Sequence, residues 1–170
     1  MSVSSSVEIG EFGPLVDLAV QRILVSDDVA ASKFYTRAPV EDPLREQQVL
    51  AEAGRRSPEM GLDREATIRF FRSQIEASKV VQRGLLARWR AHPDQAPAAS
   101  PDLDAIRARL DVLTDQLLEE LRSTQAVRRC AQVCRTRLFD ARSPVAAAHH
   151  LDALHRRALD MATASVCSTT

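Results

Sequence analysis

The sequence predicts an all-α protein, a single-domain bundle of about six helices. Its 170 residues include only five glycines, none of them paired, and few β-branched or aromatic runs, which argues against a sheet. Apolar residues recur instead at the three- and four-residue spacing of amphipathic helices. Helix-start and helix-stop signals divide these stretches, and most connections are short, so we expect the helices to pack as one bundle.

The first two helices are marked by their boundaries. Apolar residues from about Pro14 to Thr36 share one helical face, and Ala38-Pro39 ends that helix. Asp42 as N-cap, with Pro43 at the first helical position, starts a second helix that runs to about Ala53.

The third and fourth helices flank a proline-rich connection. A third helix follows the N-cap Asp63 and carries apolar residues at turn spacing as far as Trp89. Residues 92–102 form an internal loop rather than a domain boundary. From Leu103 to about Ser123, leucine and isoleucine make the strongest amphipathic pattern in the chain.

The end of the chain predicts two further helices. One covers Val127–Ala141, and Ser143-Pro144 caps a last helix that runs to about Val166. We therefore expect an N-terminal tail over residues 1–13 and a single helical domain over residues 14–170.

The overall composition argues against several classes of function. With 23 basic and 23 acidic residues, a pI near 6.9 and 4% aromatic residues, the chain lacks the signature of a nucleic-acid-binding protein. No apolar stretch approaches the roughly 20 residues that span a bilayer, so no membrane association is expected. Residues 1–6 lack the basic and apolar regions of a signal peptide, which predicts either a cytoplasmic protein or one whose signal was replaced by an initiator methionine.

Polar residues interrupt the apolar faces of three predicted helices. Such groups are costly at core-facing positions unless they are paired or bind a ligand. Their spacing places each set on one helical face, with cations, acceptors and an amide but no metal-ligand set or evident nucleophile. The pattern predicts a pocket for a small anion, formed by Arg22, Lys33, Asp42, Arg45, Glu46, Ser78 and Gln82.

Lysine is rare in this chain. Of the 23 basic residues, 21 are arginine, and Lys33 and Lys79 are the only lysines. A lysine retained in an arginine-rich chain is consistent with a need for a compact point charge. The retention of only two lysines by chance is the alternative.

The histidines and cysteines do not predict a metal site. His149, His150 and His155 do not place two imidazoles at the i, i+4 spacing of one helical turn. Cys130 and Cys134 lack a second pair at a zinc-binding spacing, so no metal is expected. From these residues alone, the pairing of the three cysteines stays open.

Two stretches of the sequence carry a family resemblance. The first is the ordered series Arg22 … Lys33 … Asp42-x-x-Arg45-Glu46 … Ser78-x-x-x-Gln82, which resembles the helical (AroQ-type) chorismate mutases. The second, Pro101 through Leu113 with Arg107 inside it and then His150 to Cys167, resembles the exported gamma class of that family. Each residue alone also fits a salt bridge, an N-cap or a solvated helix face, but the joint pattern favours a site.

The resemblance implies a cofactor-free rearrangement of chorismate to prephenate. The enzyme would hold the reactive conformer and stabilise charge as the ether C–O bond breaks. Arg22, Arg45 and Arg107 are implied as carboxylate contacts. Lys33 is implied as the cation for the ether oxygen, and Gln82 as a second donor to that oxygen.

The remaining positions complete the implied site. Ser78 is a further carboxylate contact, and Asp42 with Glu46 forms the hydroxyl side. Because Arg107 lies on the same chain, each subunit is expected to complete its own site, within the homodimer that family members often form. Some gamma-class members carry threonine and glutamate where this chain has Ser78 and Gln82. A neutral glutamine donates over a wide pH range, which predicts a flat rate from neutral to mildly alkaline pH.

The class resemblance also bears on the compartment and the cysteines. It implies a secreted or periplasmic protein, with a cytoplasmic location as the alternative. It further implies a disulfide to Cys167, for which Cys134 is the favoured partner and Cys130 the alternative.

Two other functions stay open. A related isochorismate–pyruvate lyase would share the fold and the cationic clamp, although the run Asp42-x-x-Arg45-Glu46 favours the mutase. A catalytically inactive helical binding module is the second alternative. Pyruvate release would mark the lyase, and indifference to mutation of Lys33 would mark the module.

Overall fold

The computed structural model describes residues 11–167, and its regular elements there are all helical. The all-α prediction is confirmed. Two 3₁₀ turns, Pro58–Met60 and Pro93–Gln95, lie in the connections. The α-helices are α1 (Gly13–Thr36), α2 (Pro43–Arg56), α3 (Arg64–Ala91), α4 (Leu103–Ser123), α5 (Gln125–Arg129), α6 (Ala131–Ala148) and α7 (Ala153–Ala162).

Aspartate starts four of these helices. The carboxylates of Asp42 and Asp63 accept hydrogen bonds from backbone N–H groups in the first turns of α2 and α3, as the sequence predicted. Asp102 and Asp152 do the same for α4 and α7. Each such cap stabilises its helix by about 1 kcal/mol.

The core is organised around α1, which packs against α3, α4, α6 and α7. Among the largest fully buried side chains are Phe70 and Phe71 of α3, Leu117 of α4 and Leu159 of α7. Phe12, which we assigned to the tail over residues 1–13, is also fully buried against this core. Residues 1–10 and 168–170 of the expected tail and domain lie outside the described residues.

The prediction that Ser143-Pro144 starts the last helix is wrong. Helix α6 continues through Pro144 as far as Ala148, and the last helix begins only after Asp152. A proline inside a helix removes the hydrogen bond to the carbonyl four residues earlier, here that of Asp140. Both Asp140 and Pro144 are exposed, so water can satisfy that carbonyl.

Two other boundaries near the end of the chain also differ from prediction. Cys130, with extended backbone angles, separates the short helix α5 from α6, where we predicted one helix over Val127–Ala141. The last helix ends at Ala162 rather than near Val166. The described part of the chain therefore contains seven α-helices, whereas about six were expected.

A disulfide ties the end of the chain to α6. Cys134, which is fully buried, is bonded to Cys167 with 5.6 Å between the two Cα atoms. This is the pairing that the class resemblance favoured. Cys130 is a free and exposed cysteine. Over residues 11–167, no helix combines the length and apolarity that crossing a membrane requires.

Candidate active site

A cavity of about 320 Å³ lies between α1, α2, α3 and α4. Its volume falls in the range typical of small-molecule sites. The structure brings to its wall every residue that the sequence assigned to the site, all of them from one chain. These are Arg22, Lys33, Asp42, Arg45, Glu46, Ser78, Gln82 and Arg107.

The charges around this cavity favour an anion. Five cationic and three anionic side chains line it, which leaves two positive charges in excess. A doubly charged anion would balance that excess. The cations are Arg22, Lys33, Arg45, Lys79 and Arg107, and the anions are Asp42, Glu46 and Asp111.

Lys33 and Gln82 are joined inside the cavity. Lys33 Nζ donates to the backbone oxygen of Val40 at 2.8 Å and to Gln82 Oε1 at 2.9 Å. Gln82 Nε2 donates to Ser78 Oγ at 3.0 Å. Since an ammonium group can only donate, it fixes the amide oxygen of Gln82 towards Lys33 and the amide nitrogen towards Ser78. One N–H of Lys33 and one N–H of Gln82 are then available to a ligand.

Ser78 belongs to the same chain of contacts. Its Oγ accepts from Gln82 and also from Ser26 Oγ of α1, at 2.8 Å. Ser26 Oγ also lies 3.3 Å from the backbone oxygen of Arg22, and its single hydroxyl hydrogen can serve only one of these two acceptors. Ser78 therefore brings to the cavity wall a hydroxyl group that is held by neighbours on α1 and α3.

Burial sets the electrostatics of Lys33. Removal from water lowers its pKa below that of an exposed lysine, although the nearby carboxylates of Asp42, Glu41 and Glu46 oppose this effect. A partly desolvated ammonium group interacts more strongly with a negative oxygen than an exposed one does.

Arg22 is a buried guanidinium group, only 7% exposed. Its Nη1 donates to Thr114 Oγ1 of α4 at 3.2 Å, and no carboxylate within the described residues forms an ion pair with it. Burial and the neighbouring Arg45 lower the pKa of Arg22 to about 10, while Asp111 opposes the shift, so the group stays charged at neutral pH. A buried charge without an ion-pair partner is costly and is relieved by an anionic ligand.

Arg45 and Arg107 approach the cavity from α2 and α4. Arg45 makes a long ion pair with Asp111, 3.5 Å between Nη2 and Oδ1. Arg107 is exposed, and its side chain has no hydrogen bond or ion pair within residues 11–167. Both guanidinium groups are thus free or nearly free to bind a carboxylate in bidentate fashion.

The two acidic residues of the predicted hydroxyl side have different surroundings. Asp42 lines the cavity and also caps α2, because its Oδ1 accepts the backbone N–H of Arg45 at 3.1 Å. Glu46 Oε1 accepts from Lys79 Nζ at 2.8 Å. Both readings of Asp42, as a cap and as part of a pocket, therefore hold.

Sequence reasoning missed six polar residues of the cavity wall, namely Ser26, Ser32, Thr36, Lys79, Asp111 and Thr114. Lys79 carried a signal, because it is one of only two lysines, but the sequence did not reveal its contact with Glu46 on α2. Asp111 and Thr114 follow Arg107 at i+4 and i+7 on α4 and so share its helical face. That spacing could have identified them.

The histidines lie outside this cavity. His155 of α7 is buried between two carboxylates, with Nε2 2.8 Å from Asp27 Oδ1 and Nδ1 2.6 Å from Asp152 Oδ1. His149 Nε2 lies 2.6 Å from Asp17 Oδ1. These pairs link α1 to the C-terminal part of the bundle.

Comparison with known proteins agrees with the fold and identifies the family. A family model described as chorismate mutase type II matches residues 14–83. The secreted chorismate mutase of Mycolicibacterium smegmatis is 38% identical over 154 residues, 91% of this chain and 84% of that protein. The secreted chorismate mutase of Mycobacterium tuberculosis is 34% identical over 157 residues, 92% of this chain and 78% of that protein.

A solved structure extends the similarity to three dimensions. The chorismate mutase of Burkholderia phymatum superposes with a TM-score of 0.89 at 38% identity, covering 96% of this chain and 100% of that chain. A helical bundle with a cationic cavity between its helices defines a class of small-anion-binding α-proteins. Within that class, the chain belongs to the chorismate mutase family of the helical AroQ type, and the family prediction is confirmed.

Proposed function

We propose that this protein is a chorismate mutase, which isomerises chorismate to prephenate by a cofactor-free [3,3] Claisen rearrangement. The observation that carries the proposal is the single cavity that eight predicted site residues line, with two positive charges in excess. Chorismate is a dianion with two carboxylates, an ether oxygen and a ring hydroxyl. The cavity offers a partner of suitable chemistry for each of these groups.

The two carboxylates are bound by the arginines. Arg22, Arg45 and Arg107 converge on the cavity from three helices, and guanidinium groups bind carboxylates with two parallel hydrogen bonds. The hydroxyl of Ser78 adds a donor. Holding both carboxylates keeps the substrate in the compact conformer in which the two reacting carbons meet, which removes much of the entropic barrier.

The ether oxygen is the centre of charge development. In the rearrangement the ether C–O bond breaks while a new C–C bond forms, and negative charge grows on the oxygen before it becomes a carbonyl. Lys33 and Gln82 each have an N–H available for this oxygen. Donors that are fixed before the reaction stabilise this charge without reorganisation in the transition state.

The ring hydroxyl is bound on the side of α2. Glu46 supplies a carboxylate oxygen that accepts from it, and Asp42 lies beside Glu46 at the start of the helix. These contacts exist in both the ground state and the transition state, so they orient the substrate more than they accelerate the chemical step.

One chain supplies every proposed contact. Arg107, on the fourth helix, belongs to the same polypeptide as the residues of the first three helices. We propose that the protein forms the homodimer expected from its family and that each subunit works with its own site. Activity should then be independent of dimer dissociation on dilution.

We also propose that the protein acts outside the cytoplasm. The disulfide between Cys134 and Cys167 supports an oxidising compartment, because such bonds are rare in the cytosol. The names of the mycobacterial relatives, secreted chorismate mutases, support the same location.

The proposed function is tested by incubating purified protein with chorismate and following substrate loss and prephenate formation by NMR. A parallel reaction with isochorismate, assayed for pyruvate, tests the lyase alternative. Prephenate from chorismate without pyruvate from isochorismate is the expected result. Pyruvate release would favour the lyase, and absence of turnover of either substrate would favour an inactive binding module.

A further inference from the structure

Lys79 lies in the cavity wall with no role in the proposed mechanism. It is only 8% exposed, and its Nζ contacts Glu46 Oε1 of α2 at 2.8 Å and Glu76 Oε1 of its own helix at 3.1 Å. Burial works against the charged form, but the hydrogen bonds to Glu46 and Glu76 outweigh it and raise the pKa of Lys79. The side chain is therefore a fixed cation that connects α3 to α2.

The contacts of Glu46 are asymmetric. Its Oε1 receives both the Lys79 ammonium group and, at 3.5 Å, the backbone N–H of Asp42. Its Oε2 has no hydrogen bond within residues 11–167. One carboxylate oxygen is thus anchored to protein, and the other is left for a donor in the cavity.

Without such an anchor, a glutamate side chain would move among several rotamers, and ordering it on ligand binding would cost conformational entropy. Glu46 is one-quarter exposed, so packing alone does not hold it. Its interaction with a rigidly held cation can do so. Fixing an acceptor before the substrate arrives improves both affinity and orientation.

We propose that Lys79 is a positioning residue, which anchors Glu46 through Oε1 so that Oε2 accepts the hydrogen bond of the substrate's ring hydroxyl. This inference rests on the proposed mutase function. Lys79 then acts through Glu46 and makes no contact with the substrate itself.

A double-mutant cycle tests this relationship. The four proteins are wild type, Lys79→Met, Glu46→Ala and the double variant, each assayed for kcat/KM with chorismate. In the wild-type background, Lys79→Met should lower kcat/KM roughly 10- to 100-fold, the scale of one hydrogen bond to a charged group. In the Glu46→Ala background, the same substitution should cost less than about threefold, because the group that Lys79 positions is already gone.

Matched variants separate positioning from general effects. Arg72→Met removes one positive charge from the exposed side of the same helix and should leave kcat/KM within about twofold. Glu76→Gln leaves the contact between Lys79 and Glu46 intact and should also change kcat/KM by less than about threefold. Thermal melting of each variant identifies losses that come from unfolding. Lys79→Gln, which keeps a polar donor but no charge, replaces Lys79→Met in the cycle if the latter does not fold.

The outcomes are distinct. A loss at Lys79 that disappears in the Glu46→Ala background supports positioning. An equal loss in both backgrounds would mean that Lys79 acts directly on the substrate or on the fold. An unchanged kcat/KM in Lys79→Met would mean that Glu46 needs no anchor. Either result overturns the inference. Wild-type protein that does not convert chorismate would instead overturn the proposed function, and this inference with it.

Discussion

Lys33 Nζ and Gln82 Oε1 lie 2.9 Å apart, so the two groups proposed to contact the ether oxygen are held together before a substrate binds. Lys33 comes from α1 and Gln82 from α3, and their hydrogen bond fixes the orientation of the amide. This contact joins the cation and the neutral donor into one preorganised unit.

The neutral amide of Gln82 determines how the rate depends on pH. For wild type we expect a flat kcat from neutral to mildly alkaline pH, with a fall at high pH that begins below the pKa of an exposed lysine. The reason is that burial lowers the pKa of Lys33, which must be protonated to act. Gln82→Glu should lose activity as pH rises through the weakly acidic range, because a carboxyl group donates only when protonated. A steep fall in the wild-type profile between neutral and mildly alkaline pH would contradict the assignment of Gln82.

Arg107 should affect substrate binding without affecting stability. It is exposed, and its side chain has no hydrogen bond or ion pair in the part of the chain described, so Arg107→Met should leave the melting temperature unchanged. Loss of a bidentate carboxylate contact should lower kcat/KM roughly 10- to 100-fold. Arg109→Met is the matched control, since Arg109 bonds to Gln21 and does not line the cavity. Equal activity of the two variants would remove Arg107 from the site.

His155 should make the stability of the bundle depend on pH. The hydrogen bond to Asp27 raises the pKa of His155 from 6.5 to about 9. Burial opposes this rise, and the hydrogen bond to Asp152 adds to it. Because the folded state raises this pKa, the stabilisation is fully present below about pH 6.5 and is lost as pH rises through about 9. The shift corresponds to a contribution on the order of 3 kcal/mol.

Urea unfolding of wild type and His155→Gln measures this effect. The difference in free energy of unfolding should be largest near pH 6 and should shrink by most of its value near pH 10. A difference that does not change with pH would show that His155 is not held as a cation between the two carboxylates.

The disulfide should stabilise the end of the chain. Cys134 and Cys167 enclose a loop with a sequence separation of 33, for which the loss of chain entropy in the unfolded state predicts about 3 to 4 kcal/mol. Cys134→Ala/Cys167→Ser should lose that amount in urea unfolding, and Cys130→Ser, which changes the free and exposed cysteine, should lose little. Alkylation without reduction, followed by intact mass, should mark one thiol. Three marked thiols would rule the bond out.

The helices and the cavity residues could be predicted because their signals are local. Asp42 and Asp63 are N-cap residues, which predict the starts of α2 and α3. Ser78 and Gln82, spaced i, i+4, lie on one face of α3. The family resemblance then placed these faces around one substrate. The roles of the individual residues in binding and catalysis stay predictions until they are measured.

The features that the sequence did not predict depend on interactions between distant parts of the chain. Pro144 is a strong local start signal, but α6 continues through it because Val145 and Ala146 are buried against the core. Lys79 pairs with Glu76 of its own helix and with Glu46 of α2, and the sequence spacing carries no information about the contact with Glu46. Such contacts follow from packing and not from the pattern of any one helix.

The central claim is that the ammonium group of Lys33 stabilises the charge that develops on the ether oxygen of chorismate. The most direct test is the kcat of Lys33→Ala for conversion of chorismate to prephenate, measured beside wild type, with circular dichroism to confirm that the variant is folded. We expect a loss on the order of 10²–10³ or more, the scale of one donor to a developing oxyanion. A folded Lys33→Ala variant with kcat close to that of wild type would contradict it.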